Sequence, residues 1–302
     1  MISPKIEESR IQFSLRSCRE KDLQVFEPIE LIKNAVDKFG DSLAVSCSWG
    51  RCSVAVLSMV LKVKPDIRIV FEDTTQEFPE TYAYRDLILK EWNLNPRQYI
   101  ETKPVIPFWE CWKTYGPPVP RKQYYHGKRR RHTYQEKTGK PACCWFCKDK
   151  PFLNFCKENG IEATLRGLRA GESMARMYYF ADYGQYHTTK RYGLTNYDPI
   201  GFWNRQELIS YFERNNISQS EVYTKLGLPR NGCMPCTSYL HWEEFLAKYN
   251  PKMLVFIQKL KIQWKQRKDN ILDNFLKLEE KAFNNCNQGT TKSRQPILEE
   301  WF

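Results

Sequence analysis

The residues best suited to chemistry in this 302-residue chain are its cysteines, eleven in all. Five of them fall in two short stretches. "ACCWFCKDKP" carries Cys143, Cys144 and Cys147, and "NGCMPCTSY" carries Cys233 and Cys236. A Cys-x-x-Cys presents two thiolates to one metal from a tight turn, and two such groups complete a tetrahedral sulfur shell. Zinc and a 4Fe-4S cluster both accept four thiolates, so spacing alone leaves the metal open. It also leaves two shells open: Cys144 and Cys147 with Cys233 and Cys236, or Cys143 and Cys144 with the same distant pair and Cys147 left over. Cys18, Cys47, Cys111 and Cys156 read as small buried apolar residues, the ordinary state of a free thiol, and Cys52 as a filler.

A second group of residues suits anions. In "AVSCSWGRCSVAVLSMV" an apolar strand meets a loop at Ser48, Trp49, Gly50 and Arg51, and a helix follows from Ser53. Main-chain N–H groups at such a helix start, with its positive dipole end, hold anions. Asp73 and Thr74 open the loop "DTTQEFPET" after a second strand. "LRGLRAGESMAR" supplies Arg166, Arg169 and Arg176 around a glycine turn. Guanidinium groups bind phosphate and sulfate through paired hydrogen bonds, and Arg169 and Arg176 are the foremost candidates.

The elements that must position these groups alternate. A helix from Pro28, the strand "LAVSC", a helix, the strand "IRIVF", the helix "PETYAYRDLILKEWN" and a third strand near "PRQYI" imply right-handed βαβ crossovers and a mostly parallel, twisted α/β sheet. Residues 102–142, rich in Pro, Gly, aromatics and bases, read as a basic flap inserted in that domain. Further on, "EATLRGLR" reads as a strand and "NRQELISYFERNN" as an amphipathic helix capped by Asn204. The organisation expected is an N-terminal extension (1–27), a nucleotide-binding domain (28–249) and a C-terminal helical extension with a tail (250–302). No apolar run is long enough to span a membrane and the first residues lack a signal-peptide core, which predicts a cytoplasmic protein. In that compartment clustered cysteines point to metal or redox chemistry rather than disulfides. The formal charge of +12, from 47 Lys and Arg against 35 Asp and Glu, suits an anionic partner.

"SCSWGRCSVAVLSMVLKVKPDIRIVFEDTTQEFPETYAY" resembles the nucleotide-binding core of the phosphoadenosine phosphosulfate (PAPS) reductase family, of the PP-loop (adenine-nucleotide α-hydrolase-like) superfamily. The resemblance runs on through "ACCWFCKDKP", "LRGLRAGESMAR", "YDPIGFWNRQELISYF" and "GCMPCT", in the family's order, over about residues 28–250. It implies helices on both sheet faces, adenine against the first strand and loop, and the substrate's anionic groups at the arginine segment. It also implies a 4Fe-4S cluster on Cys143, Cys144, Cys233 and Cys236, as in adenylyl-sulfate (APS) reductases.

Two departures matter. ATP-cleaving members of the superfamily carry Ser-Gly-Gly-x-Asp-Ser where this chain has Ser48, Trp49, Gly50, Arg51, Cys52 and Ser53. A Trp in place of the small Gly, and no acidic residue, tilt the reading from ATP cleavage towards a sulfonucleotide. The family's C-terminal Glu-Cys-Gly motif, with its nucleophilic cysteine, is absent. Cys286 in "NNCNQG" is the candidate nucleophile that remains. The expected activity is reduction of APS or PAPS, with sulfonyl transfer to a thiol and release of sulfite. A thioredoxin-like donor would supply electrons to a homo-oligomeric enzyme. The alternatives are a sulfur-transfer enzyme acting on nucleic acid (DNA phosphorothioation or tRNA thiolation) through the basic flap, and a non-catalytic subunit with a degenerate loop and a structural zinc.

Overall fold

A computed structural model describes residues 2–119, 134–239 and 241–267. The chain divides into two compact units, residues 1–242 and 243–302. The first is built on β1 (Leu43–Ser46), β2 (Arg68–Glu72), β3 (Tyr99–Thr102), β4 (Ala163–Leu165), β5 (Tyr186–Thr188) and β6 (Thr195–Tyr197). They form one sheet in the order β3-β2-β1-β4-β6-β5. All neighbours are parallel except β5, which runs antiparallel to β6. The expected α/β architecture is therefore present. β5, β6 and the helix before them had no counterpart in the sequence reading.

Alternation along β1 explains why helices lie on both faces. Leu43 and Val45 point into one core with α2 (Pro28–Phe39), α3 (Arg51–Leu61), α4 (Pro79–Glu91) and α8 (Arg205–Arg214), through Leu31, Ile32, Val54, Leu57, Ile88 and Leu208. Ala44, one residue out of phase, faces the other side with Val70, against Phe152 and Cys156 of α6 (Lys150–Glu158). The Asn204 side chain accepts from the Glu207 N–H and the Glu207 carboxylate accepts from the Asn204 N–H, a reciprocal cap that starts α8 as expected.

The region read as an unstructured flap is partly ordered. Residues 108–115 form α5 (Phe108–Tyr115), whose Phe108, Cys111 and Trp112 are buried, and Tyr134–Thr138 makes a short helical turn. Aromatic side chains at helical spacing explain the difference: the rings that suggested a flap pack on one another as Phe108, Trp109 and Trp112 do. Residues 120–133, with His126 and most of the basic run, lie outside the described residues, as does Cys286. The N-terminal stretch is the long helix α1 (Pro4–Glu20), packed on α7 (Met174–Tyr183) through Ser14, Ser17 and Cys18, which reach the carbonyls of Met177, Ala181 and Phe180. In the second unit a helix covers residues 251–267. Among the described residues no helix is long and apolar enough to cross a membrane.

Candidate active site

Strand order reverses between β1 and β4: from β1 the chain steps outward to β2 and β3, and from β4 outward to β6. Ligands of open α/β sheets bind at this switch, beyond the carboxyl ends of the strands. β1 ends in the Ser48–Ser53 loop and β4 in the Arg166–Glu172 segment, so the two anion-binding stretches read from the sequence meet there. The contact is backbone on backbone. A methyl group on Gly167 would lie 2.4 Å from the Cys52 carbonyl carbon and 2.4 Å from the Ser53 nitrogen, so only glycine permits it.

The loop itself is tied down at several points. Gly50 caps α3, its N–H donating to Ser53 Oγ (3.2 Å) while that hydroxyl donates back to the Gly50 carbonyl (3.0 Å). The Arg51 N–H donates to the Tyr223 hydroxyl, and the Arg51 guanidinium stacks over the Tyr223 ring at 4.0 Å and bonds Gln219. Ser48 is exposed. Trp49 departs from the expectation of a residue facing the nucleotide. Its φ is +57°, the left-handed conformation that glycine adopts freely, and its indole turns into the core, fully buried and edge-on to Phe71 and Tyr99. Only its main chain lines the loop. The bulky side chain leaves the anion-facing side as open as a glycine would.

The arginines separate into two roles. Arg166, read as an anion ligand, is committed elsewhere: it grips Asp198 with two bonds (3.1 and 2.6 Å) and donates to the Tyr179 hydroxyl. Asp198 is fully buried, so this pair satisfies its charge inside the fold. Arg169 and Arg176 both lie within electrostatic reach of Cys52 in the first turn of α3. Arg169 donates to Glu7 of α1 (2.6 Å), to the Trp203 carbonyl and to the Cys52 sulfur (3.3 Å). Burial works against its charge, but Cys52 and Glu7 outweigh it and hold its pKa above the usual value. Arg176 pairs with Glu172; burial holds its pKa below the usual value.

Asp73 and Thr74 close the other side. Asp73 accepts from Tyr82, the Thr75 N–H and Lys103; burial pushes its pKa up, but these donors prevail and leave it below the ordinary value. Thr74 donates to Glu77 (2.8 Å), and the Cys233 thiol reaches both Thr74 and Glu77.

The cysteine stretches adjoin these loops. Glu77 and Cys233 form an antiparallel bridge, and the Met234 N–H donates to the Gln76 carbonyl. Asn231 is the latch: its amide donates to the Ser48 carbonyl (2.9 Å) and accepts from Thr81 (2.7 Å). Cys143 and Cys144 end a single helical turn that widens into a π turn over Trp145–Asp149. The wider turn breaks the one-face alignment an α-helix would give Cys144 and Cys147. Cys144 faces Lys148, Lys140 and Arg230. The bond from Cys143 chiefly pulls its pKa down, burial opposing and these cations assisting. Cys143 senses Cys233, and Cys236 senses Cys144. Cys147 turns away, to the Ile106 carbonyl and to Cys111. Among the described residues no three Cys, His, Asp or Glu side chains converge on a point as a single-ion site requires.

Sequence reasoning missed Lys148, Glu77, Asn231, Gly167, Glu7 and Glu172. Lys148 is half-buried and bonds Glu77 (3.2 Å). Burial opposes its charge, but Glu77, Cys233, Glu72 and Cys144 keep it protonated well above the ordinary lysine range. Its place directly after Cys147 was the available signal, as was the Asn-Gly turn before Cys233 for Asn231.

The phosphoadenosine phosphosulfate reductase domain pattern matches residues 42–239. The chain belongs to that family. The match takes in both loops, the arginine segment and all five clustered cysteines. Among relatives, the adenosine 5'-phosphosulfate reductase of Staphylococcus haemolyticus is 27% identical over 210 residues, covering 69% of this chain and 76% of that protein. The enzyme of the same name from Anoxybacillus flavithermus is 26% identical, covering 72% of this chain and 82% of its own length. A crystal structure of phosphoadenylyl-sulfate (PAPS) reductase from Candida auris, a phosphate complex, superposes with a TM-score of 0.50 at 22% identity, over 69% of this chain and 88% of that one. That likeness shows the shared fold. The family resemblance and the α/β sheet expected from the sequence are thus both borne out.

Proposed function

We propose that this protein is a sulfonucleotide reductase that binds APS or PAPS in the β1–β4 crevice and releases sulfite. The observation that carries the reading is Asn231: one amide ties the cysteine-bearing 231–236 segment to the Ser48 carbonyl of the anion loop and to Thr81 at the start of α4. This contact supports reading the thiols and the loops as one site, within a family whose relatives bear the names of sulfonucleotide reductases.

In this reading the first turn of α3 receives the nucleotide's phosphate, with Ser48 and Ser53 hydroxyls beside it. Arg169 and Arg176 orient the sulfate oxygens through charge-assisted bonds. Lys148, between Glu77 and the thiols, adds positive charge on the cysteine side. Cys143, Cys144, Cys233 and Cys236 would hold a 4Fe-4S cluster, and Cys147 is left out because its thiol faces Cys111 and the Ile106 carbonyl. The donor set is four thiols, of which Cys144 is drawn towards thiolate by its bond from Cys143 and by Lys148, Lys140 and Arg230, while burial holds Cys233 and Cys236 up. A bound cluster would supply a polarisable metal–sulfide centre beside the substrate's anion. A thioredoxin-like dithiol is the proposed electron donor, and Cys286 remains a candidate acceptor of the sulfonyl group.

The test is anaerobic incubation of the whole chain with APS, PAPS and ATP separately, with a dithiol, following sulfite, AMP and pyrophosphate, alongside iron and acid-labile sulfide analysis. Sulfite and AMP from APS or PAPS, without pyrophosphate from ATP, are expected. Pyrophosphate release from ATP with no sulfite from either sulfonucleotide would overturn the reading.

A further inference from the structure

Cys52 occupies an unusual place. Of the cysteines among the described residues outside the 143–147 and 233–236 stretches, Cys18, Cys47, Cys111 and Cys156 are buried, and Cys52 alone is not. Burial pushes the Cys47 thiol up to about 12, which fits a passive core residue. Cys52 instead lies in the first turn of α3, at the carboxyl end of β1 and inside the crevice. Its thiol donates to Glu172 Oε1 (3.3 Å) and its sulfur faces Arg169 Nε (3.3 Å). Arg169 is 7% exposed and fixed by Glu7 and the Trp203 carbonyl. The Gly167 contact with the Cys52 peptide holds the two segments together. A nucleophile with a carboxylate to take its proton and a buried guanidinium facing its sulfur has the parts of an activated thiol, in the loop where the anion binds.

We propose that Cys52 is the thiol that accepts the sulfonyl group, an inference that rests on the sulfonucleotide reading above. The Cys52 sulfur attacks the sulfonyl sulfur, an S–S bond forms, and the S–O bond to the nucleotide's phosphate breaks. The bonding electron pair leaves with AMP (or its 3'-phosphorylated form from PAPS), and the thiol proton passes to Glu172. An external dithiol then attacks the Cys52 sulfur and expels sulfite. Its second thiol resolves the mixed disulfide and restores Cys52. The dithiol's two electrons reduce sulfur from the sulfate to the sulfite level, and Cys52 ends unchanged. Arg169 faces the Cys52 sulfur in both steps.

The experiment mixes the whole, metal-loaded chain anaerobically with APS, and PAPS in parallel, without reductant. The protein is quenched in acid, digested and its peptides mapped by mass spectrometry. The expected result is one sulfur-trioxide adduct on the Cys52 peptide, AMP released in equal amount, and sulfite appearing when dithiothreitol is added. Cys52→Ser, its melting temperature checked against wild type, forms no adduct and releases sulfite at background. Glu172→Gln forms the adduct roughly 10²-fold more slowly. An adduct on another cysteine, Cys286 included, with the Cys52 thiol still free, overturns the proposal while leaving the sulfonucleotide reading intact. So does wild-type turnover by Cys52→Ser. Failure of the wild-type chain to release AMP or sulfite from either nucleotide, with dithiothreitol present, overturns both.

Discussion

Replacing Gly167 by Ala tests whether the close approach of two backbones builds the anion site. The new methyl would sit 2.4 Å from the Cys52 carbonyl carbon and the Ser53 nitrogen and 2.6 Å from the Cys52 oxygen. These are main-chain atoms, so no side chain can rotate away. Ordinary contact begins near 3.4 Å, so the β4 loop and the first turn of α3 must separate by about 1.0 Å. Overpacking of this kind costs about 1–3 kcal/mol. For a unit of this size that corresponds to a fall in melting temperature of roughly 2–12 °C. The same shift displaces the first-turn N–H groups of α3 that receive the phosphate in the proposed site. Losing one charge-assisted bond costs about 1.5–3 kcal/mol, so AMP affinity measured by calorimetry falls at least about tenfold.

Gly160→Ala is the matched control. Gly160 has φ +63° with nothing within 4 Å of a new methyl, and it precedes the amino end of β4, away from the crevice. Left-handed strain costs it about 1–2 kcal/mol, so it melts lower yet binds AMP as wild type does. The reasoning is refuted if Gly167→Ala keeps wild-type stability and affinity, or if Gly160→Ala loses affinity to the same degree.

Three further outcomes follow from the geometry. On the cluster assignment proposed above, Cys147→Ser keeps as much iron as wild type whereas Cys144→Ser loses it, by iron analysis after anaerobic purification; equal losses would mean that Cys147 is a ligand. Trp49→Phe keeps an edge-on ring among Phe71 and Tyr99 and removes an indole N–H that has no partner, so urea unfolding shifts by less than about 1.5 kcal/mol. Trp49→Gly instead gives up about 3–5 kcal/mol of packing against about 1–2 recovered from the left-handed backbone, a clear net loss. Asp73 is held below its unfolded pKa of about 3.9, burial opposing and Lys103 leading the donors that lower it, so its contribution is present above that pH and lost as pH falls through the folded value. Melting curves of Lys103→Met therefore show a deficit that is full above about pH 5 and fades towards pH 3; a deficit constant with pH would refute this.

What was legible in the chain, and what was not, divides along the range of the forces involved. β1, β2, α4 and α8 were readable because their signals are local: apolar runs between turns, a Pro at a first helical turn, an Asn cap. The loop after β1 and the paired cysteines stood out because their residues fall at short spacings. Each misreading of a side chain's task came from a partner far along the chain. Arg166 looked like an anion ligand, and Asp198, thirty-two residues on, holds one edge of its guanidinium. Trp49 looked like a residue facing the ligand because sequence shows which residue stands in a loop, and its φ of +57° decides which way the side chain turns. Cys52 looked inert for the same reason, since the groups that give it a chemical setting, Glu172 and Arg169, arrive from the loop after β4. A site at a topological switch is assembled from segments that the strand order separates in sequence and rejoins in space. Its residue types can be read locally, but which side chain pairs with which depends on contacts that only the closed sheet creates.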